Sequence, residues 1–183
     1  MSAGFAFFAT ALGRCALAWR GEQVTRVRLP GDEAAIRLSL EPLGPEAPPP
    51  ASISAVAQAI AAHLSGEVDN LQHVPVALDA CSDFDRSVYA ATRAIPPGET
   101  RTYGQLAAAA GQPRAAQAAG LAMARNPCPI VIPCHRVMGA DGRLVGFSAP
   151  GGLATKVRLL EIERAAVGGA PTLFDDLPLA VRP

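Results

Sequence analysis

Asn126-Pro127-Cys128-Pro129-Ile130-Val131-Ile132-Pro133-Cys134-His135-Arg136-Val137 is the stretch on which the reading of this chain turns. Three β-branched or aliphatic residues in a row, Ile130 to Ile132, have the pattern of a short buried strand. Prolines at 127, 129 and 133 forbid a helix and pin the backbone on either side. A rigid segment is therefore expected to cross the core and stop at a cysteine followed directly by a histidine. A thiolate is a strong nucleophile, and a neighbouring imidazole favours it as base or cation. Taken alone, a Cys-His pair also suits a buried structural cysteine, so the surrounding segments decide between the two.

The chain has 183 residues, of which 50% are hydrophobic and 17% charged, enough to bury a core in one domain or two small ones. That composition excludes a disordered chain. No apolar run is long enough to span a bilayer. Phe5-Ala6-Phe7-Phe8-Ala9 has a trace of a signal core, but no positive residue precedes it and Arg14 and Arg20 follow, so a cytoplasmic protein is expected. Cys15, Cys81, Cys128 and Cys134, with His63, His73 and His135, show no zinc-binding spacing, and no metal is expected. Free thiols are expected in such a setting. Charge is unevenly spread. Residues 1–83 carry 5 basic and 9 acidic side chains, whereas residues 84–164 carry 10 basic and 5 acidic. A positive half containing Cys134 suits a polyanion, and equally suits arginines on solvated helix faces.

Residues 1–80 read as a small α/β unit. Cys15–Trp19 and Val24–Leu29 predict a hairpin, Ile36–Leu40 a third strand, and 41–50, with five prolines, a surface loop. Ile53, Val56, Ala57, Ile60 and Leu64 recur at helical spacing, and Val74–Leu78 is an edge-strand candidate because Pro75 cannot donate to a ladder. No catalytic constellation stands out there. From about Ala80 the pattern turns helical. One helix runs from Phe84 to Ile95, capped by Ser82 or Asp83. Thr102-Tyr103-Gly104-Gln105 is a capping box that opens a short helix ended by Gly111. Pro113 is expected to start an alanine-rich helix reaching about Arg125. The pair is a helix-turn-helix candidate whose second helix is too poor in side chains to read base edges by bidentate bonds. Ser148-Ala149-Pro150-Gly151-Gly152 is expected to be a mobile or ligand-facing loop. A last helix, from about Leu153 to Arg164, would turn Leu153, Val157 and Leu160 inward. Beyond 165 a tail with Leu173-Phe174 as its one anchor is expected to wrap or fray.

Three segments together resemble the O6-alkylguanine-DNA alkyltransferases, or methylated-DNA–protein-cysteine methyltransferases. They are Gly98 to Ala107 around Thr102-Tyr103-Gly104-Gln105, then Asn126-Pro127 through Pro133-Cys134-His135-Arg136-Val137, then Gly151-Gly152-Leu153-Ala154-Thr155-Lys156 with Leu159-Leu160. About 65 residues carry the likeness, and the first 80 fit it only in layout. The resemblance implies a ribonuclease H-like α/β unit over 1–80, a mostly α, winged-helix-like DNA-binding catalytic domain over 81–165, and a tail over 166–183. It implies a monomer acting on double-stranded DNA that carries O6-alkylguanine, near the nucleoid if bacterial, without cofactor, metal or membrane. The alkyl group would pass irreversibly from guanine O6, and the reaction can extend to thymine O4, onto Cys134 after the base is flipped through the minor groove. By position His135 would be the base, acting through a water, Glu163 its orienter, Tyr103 the proton donor to the leaving guanine, and Asn126 the brace under the nucleophile. Backbone carbonyls of Cys134 and Val137 would accept from the guanine amine, and Pro129, Met123, Phe147 and Ser148 would line the pocket. DNA contacts would fall to Thr102, Tyr103, Arg114, Ala115, Ala116, Gln117, Gly120, Arg125 and Arg136.

Three departures stand out. Gln117 occupies the place of the arginine that fills the gap left by the flipped base. Phe147 replaces a frequent tyrosine, and Ala149-Pro150 is an apparent insertion in the pocket loop. The missing arginine lends weight to a second reading, a catalytically weak alkyltransferase-like protein that binds damage. A third, a thiol hydrolase or redox protein, lacks an evident oxyanion hole, and Cys128 and Cys134 do not form a Cys-x-x-Cys pair.

Overall fold

The computed structural model describes residues 2–165. Its N-terminal part is a three-stranded antiparallel sheet in the order β1 (Ala3–Thr10), β2 (Gly13–Arg20), β3 (Gln23–Arg28). Cys15–Trp19 of β2 are buried on both faces. Cys15, Leu17 and Trp19 join the main core, while Ala16 and Ala18 face Ile36 and Leu40 of α1 (Glu33–Leu40). Alternate side chains of a strand point to opposite faces, which is why one β2 run supplies two apolar layers. The expected hairpin gains a first strand, β1, made from the Phe5–Ala9 run that has a signal-like trace. The main-core face is covered by α2 (Ala51–Leu64), through Ile53, Val56, Ile60 and Leu64.

Ile36–Leu40 is not a strand. Asp32 caps the segment by accepting from the N–H groups of Ala34 and Ala35, and Glu33 favours the first turn. Ile36 and Leu40 are also four apart, so the alternation that reads as a strand equally gives a helix burying both, with Leu38 left 68% exposed. Val74–Leu78 forms a single bridge, Val24 to Val76, and not a strand.

The second half is helical. The helix α3 (Asp83–Arg93) is capped by Ser82, and α4 (Tyr103–Ala109) carries the expected capping box in full. Gly111, at φ 84°, ends α4. The next helix, α5 (Ala116–Ala124), begins three residues later than Pro113 predicts, because Pro113 and Arg114 are used in a turn closed by the Ala115 N–H on Gln112 O. A two-stranded parallel pair joins β4 (Arg101–Thr102) to β5 (Val137–Met138). The last helix, α6 (Gly152–Ile162), turns Lys156, Leu159 and Leu160 inward and leaves Leu153 46% exposed, so its expected inner face is rotated.

Ile130–Ile132 is buried as expected but is a turn, not a strand. Ile132 N–H closes on Cys128 O at 2.8 Å, and Ile130 takes φ 75°. Apolar runs report burial, and without a partner strand burial alone does not extend the backbone. Val27 N–H of β3 bonds Pro127 O at 3.0 Å, fastening this turn to the N-terminal sheet. One buried cluster contains residues from both halves. Among the described residues no helix is long and apolar enough to cross a membrane. The expected tail, with Leu173-Phe174, lies outside them.

Candidate active site

The turn ends in a short 3-10 segment, Cys134–Arg136, and its three side chains set the site. Asn126 holds the turn from beneath. Its Nδ2 donates to Ile132 O at 2.8 Å and its Oδ1 accepts from Cys128 N–H at 3.0 Å, which fixes the backbone two residues before Cys134. Cys134 opens on a cavity of about 840 Å³ shared with Tyr103, Met123, Asn126, Pro129, Phe147 and Ser148. Every pocket residue expected from the sequence except Val137, of which only the backbone carbonyl was invoked, therefore lines one space. The opposite wall comes from the N-terminal unit, through Arg28, Gly31, Asp32 and Ser39, which the sequence reading did not anticipate. A side chain added at Gly31 would meet Pro150 at 3.2 Å, so the Ala149-Pro150 loop packs on that wall.

His135 points away from the surface, fully buried, and its Nε2 lies 2.8 Å from Glu163 Oε1. A carboxylate only accepts, so His135 carries its proton on Nε2 and presents a bare Nδ1. That Nδ1 has no protein partner among the described residues. Burial lowers the His135 pKa more than Glu163 raises it, and Arg136 and His63 lower it further, so the ring is a neutral base. Burial pushes the Cys134 thiol up, while the Asn126 amide and the Lys156 ammonium pull it down. The net shift is upward, so the resting group is a thiol that needs a base.

Glu163, at the C-terminal cap of α6, is the hub of this arrangement. Burial would raise its carboxyl, but hydrogen bonds from His135, His63 and Arg136 hold it far below the ordinary carboxylate range. Arg136 grips it with Nε on Oε2 at 2.9 Å and Nη2 on Oε1 at 2.7 Å, and sends Nη1 to Ile95 O at 2.6 Å. At 1% exposure Arg136 cannot reach DNA, and the expected DNA contact is corrected to a buried partner of Glu163. A carboxylate taken from water requires such pairing.

Two further residues escape the sequence reading. His63, from α2, donates Nε2–H to the same Glu163 oxygen at 3.0 Å. No local pattern marks it. Lys156 donates to Val137 O at 2.5 Å and Val145 O at 2.9 Å, so it holds the carbonyl expected to meet the guanine amine. Burial pushes its pKa down to about 8 although the Cys134 charge raises it. It is the one lysine of the chain, standing where the helical pattern is apolar, and that was a signal available in the sequence.

Tyr103 has its ring against Gly120 of α5 and its hydroxyl beside Gly146. Burial and the Cys134 charge both raise its pKa, so it stays a proton donor. On α5, Gln117 is exposed, with Ala115, Ala116 and Gly120 partly so. Arg114 is exposed, Arg125 is exposed and pairs with Asp85 at 3.1 Å, and Thr102 spends its hydroxyl on the capping box.

The family described as the 6-O-methylguanine DNA methyltransferase DNA binding domain matches residues 83–165. A methylated-DNA–protein-cysteine methyltransferase of Mycobacterium bovis is 38% identical over 166 residues, covering 90% of this chain and 94% of that protein. The Mycobacterium leprae protein of that name is 47% identical over 115 residues, covering 62% of this chain and 67% of its own. Among solved structures, the O6-methylguanine methyltransferase of Mycobacterium tuberculosis superposes with a TM-score of 0.71 at 33% identity, over 89% of this chain and 93% of that one. A Mycobacterium tuberculosis OGT in complex with DNA gives 0.69 at 34%, over 90% and 96%. With the fold, the Cys-His-Glu geometry and a relative 38% identical matched over 94% of its length, the chain belongs to the methylated-DNA–protein-cysteine methyltransferase family.

Proposed function

We propose that this DNA alkyltransferase removes the alkyl group from guanine O6 in double-stranded DNA and keeps it on Cys134, once per molecule. The observation that carries the reading is the locked imidazole next to the nucleophile. Glu163 holds the His135 proton on Nε2, so the ring atom left to accept the thiol proton is Nδ1. In the step proposed, the Cys134 S–H proton passes to His135 Nδ1 through a water, and the sulfur attacks the alkyl carbon. The carbon–oxygen bond breaks, its electron pair goes to the guanine, and Tyr103 O–H supplies the proton that the base takes up. The thioether has no leaving step, so turnover is single.

The flipped base would stand in the cavity beside Met123, Pro129, Phe147 and Ser148, with the Cys134 and Val137 carbonyls accepting from its amine. The face of α5 with Gln117, flanked by Thr102, Tyr103, Arg114 and Arg125, would lie in the minor groove, where small side chains permit close approach. Residues 1–80, as a ribonuclease H-like unit, would buttress a winged-helix-like catalytic unit over 81–165. Thymine O4 is a further acceptable position.

The exposed Gln117 favours one second reading, a damage-binding protein that transfers slowly. Duplex DNA with radiolabelled O6-methylguanine separates the two. Stoichiometric label on the protein, abolished in Cys134→Ala with DNA binding retained, is expected. Tight binding with no label transfer would favour the second reading.

A further inference from the structure

The Glu163 carboxylate serves two imidazoles, and only one of them belongs to the proposed nucleophile machinery. His63 is 1% exposed and comes from the end of α2, one hundred residues away in sequence. Its Nε2 lies 3.0 Å and that of His135 2.8 Å from the same oxygen, Oε1, which also accepts Arg136 Nη2 at 2.7 Å. The two rings differ in their other nitrogen. His63 Nδ1 accepts the backbone N–H of Asp69 at 3.2 Å, whereas His135 Nδ1 has no protein partner among the described residues. His63 therefore has both ring nitrogens committed, and His135 is the ring with a nitrogen left to take a proton.

We infer that His63 is a positioning residue for alkyl transfer: by donating to Glu163 it holds the carboxylate from the N-terminal unit and sets how strongly that carboxylate retains a proton on His135. His63 bonds Glu163 and the backbone N–H of Asp69, and the other charged and titratable groups on the shared carboxylate are His135 and Arg136. A donated N–H spreads part of the carboxylate charge. Without it, Glu163 holds the His135 imidazolium more firmly, and a higher pH is needed before the ring is a free base.

The inference rests on the proposed roles of Cys134 and His135, and its test keeps the two apart. Single-turnover label transfer from O6-methylguanine duplex DNA is followed against pH for the full chain, His63→Phe and His63→Gln. In His63→Phe the acid limb of the profile moves up by about half a pH unit, so that the rate on that limb falls about three-fold. His63→Gln, which still offers an N–H, returns the limb to its original place. A residue that only fills the core would lower the melting temperature and leave the limb unmoved. An unmoved limb in folded His63→Phe, or an equal shift in His63→Gln, overturns the inference. If His63→Phe does not fold, side-chain nitrogen NMR of the unmodified chain decides. The Nε2–H tautomer of His63 supports the proposal, and the Nδ1–H tautomer overturns it. If the unmodified chain takes no label, the proposed function fails, and the tautomer still reports on His63.

Discussion

At the scale of single residues, the site is a matter of which nitrogen or oxygen is already spoken for. Glu163 receives four N–H bonds, and that saturation leaves His135 one available atom, Nδ1. Gln117 is the opposite case, an exposed side chain with no hydrogen bond to define it among the described residues. If it fills the gap behind a flipped base, it does so without charge and with a shorter reach than arginine. Gln117→Arg is therefore expected to raise the repair rate on duplex DNA several-fold and to steepen its salt dependence, since a cation near the phosphates releases counterions. Single-turnover rates at two salt concentrations check this, and an unchanged or slower rate contradicts it. The Pro133-Cys134-His135-Arg136 signature was readable as chemistry because each neighbour is local in sequence. Arg136 was misassigned because adjacency says nothing about direction: Cys134, two residues earlier, opens on the cavity while the Arg136 guanidinium turns into the core.

Elements place these residues. The box on α4 sets Tyr103 at the first helical position, immediately after the Thr102 cap. Thr102 Oγ1 accepts the Gln105 N–H at 3.2 Å, and Gln105 Oε1 accepts the Thr102 N–H at 2.8 Å. Thr102→Ala is expected to cost about 1 kcal/mol, read as a lower denaturant midpoint with an unchanged m-value. Capping boxes are written in three or four adjacent residues, so this one was fully legible. Ile36–Leu40 was not, because its spacing satisfies a strand and a helix alike, and only the Asp32 cap separates them. The 130–132 turn failed for a related reason: a buried strand needs a partner, and partners are not local.

For the whole molecule, pH reports how many buried groups the fold holds in an altered state. The folded Glu163 carboxyl lies below its unfolded value near 4.3, so its contribution is present above about pH 4.3 and is lost as pH falls below that. Folded His135 is held below about 6.5, so the unfolded chain binds the extra proton and stability already declines under about pH 6.5. On the alkaline side, burial raises Cys15 to about 11 and Cys128 to about 12. Unfolded thiols ionise from about 8.5, so both lose stability to the unfolded state above that. Lys156, lowered to about 8 in the fold, works the other way between about 8 and 10.4, but Cys134, Tyr89 and Tyr103 are raised by burial as well, so it is outweighed. Stability is expected to be greatest between roughly pH 6.5 and 8.5. Denaturant titrations across that range check it, and a maximum on the acid side of about pH 5.5 would contradict the assignment of His135 as a buried neutral ring.

The sequence by itself determined the Cys134-His135 pair proposed as nucleophile and base, the caps and the helical second half, because those signals lie in neighbouring residues or in a regular period. It also carried enough of the family signature to point to Glu163, Tyr103 and Asn126 by position. Tertiary structure alone decided that His63 and Arg136 share the Glu163 carboxylate, and that α1 and Gly31 wall the cavity. It also decided that Lys156 is buried against Val137. Each of these depends on segments far apart in the chain meeting in a dry core, where a charge must find donors. No periodicity records which donors arrive.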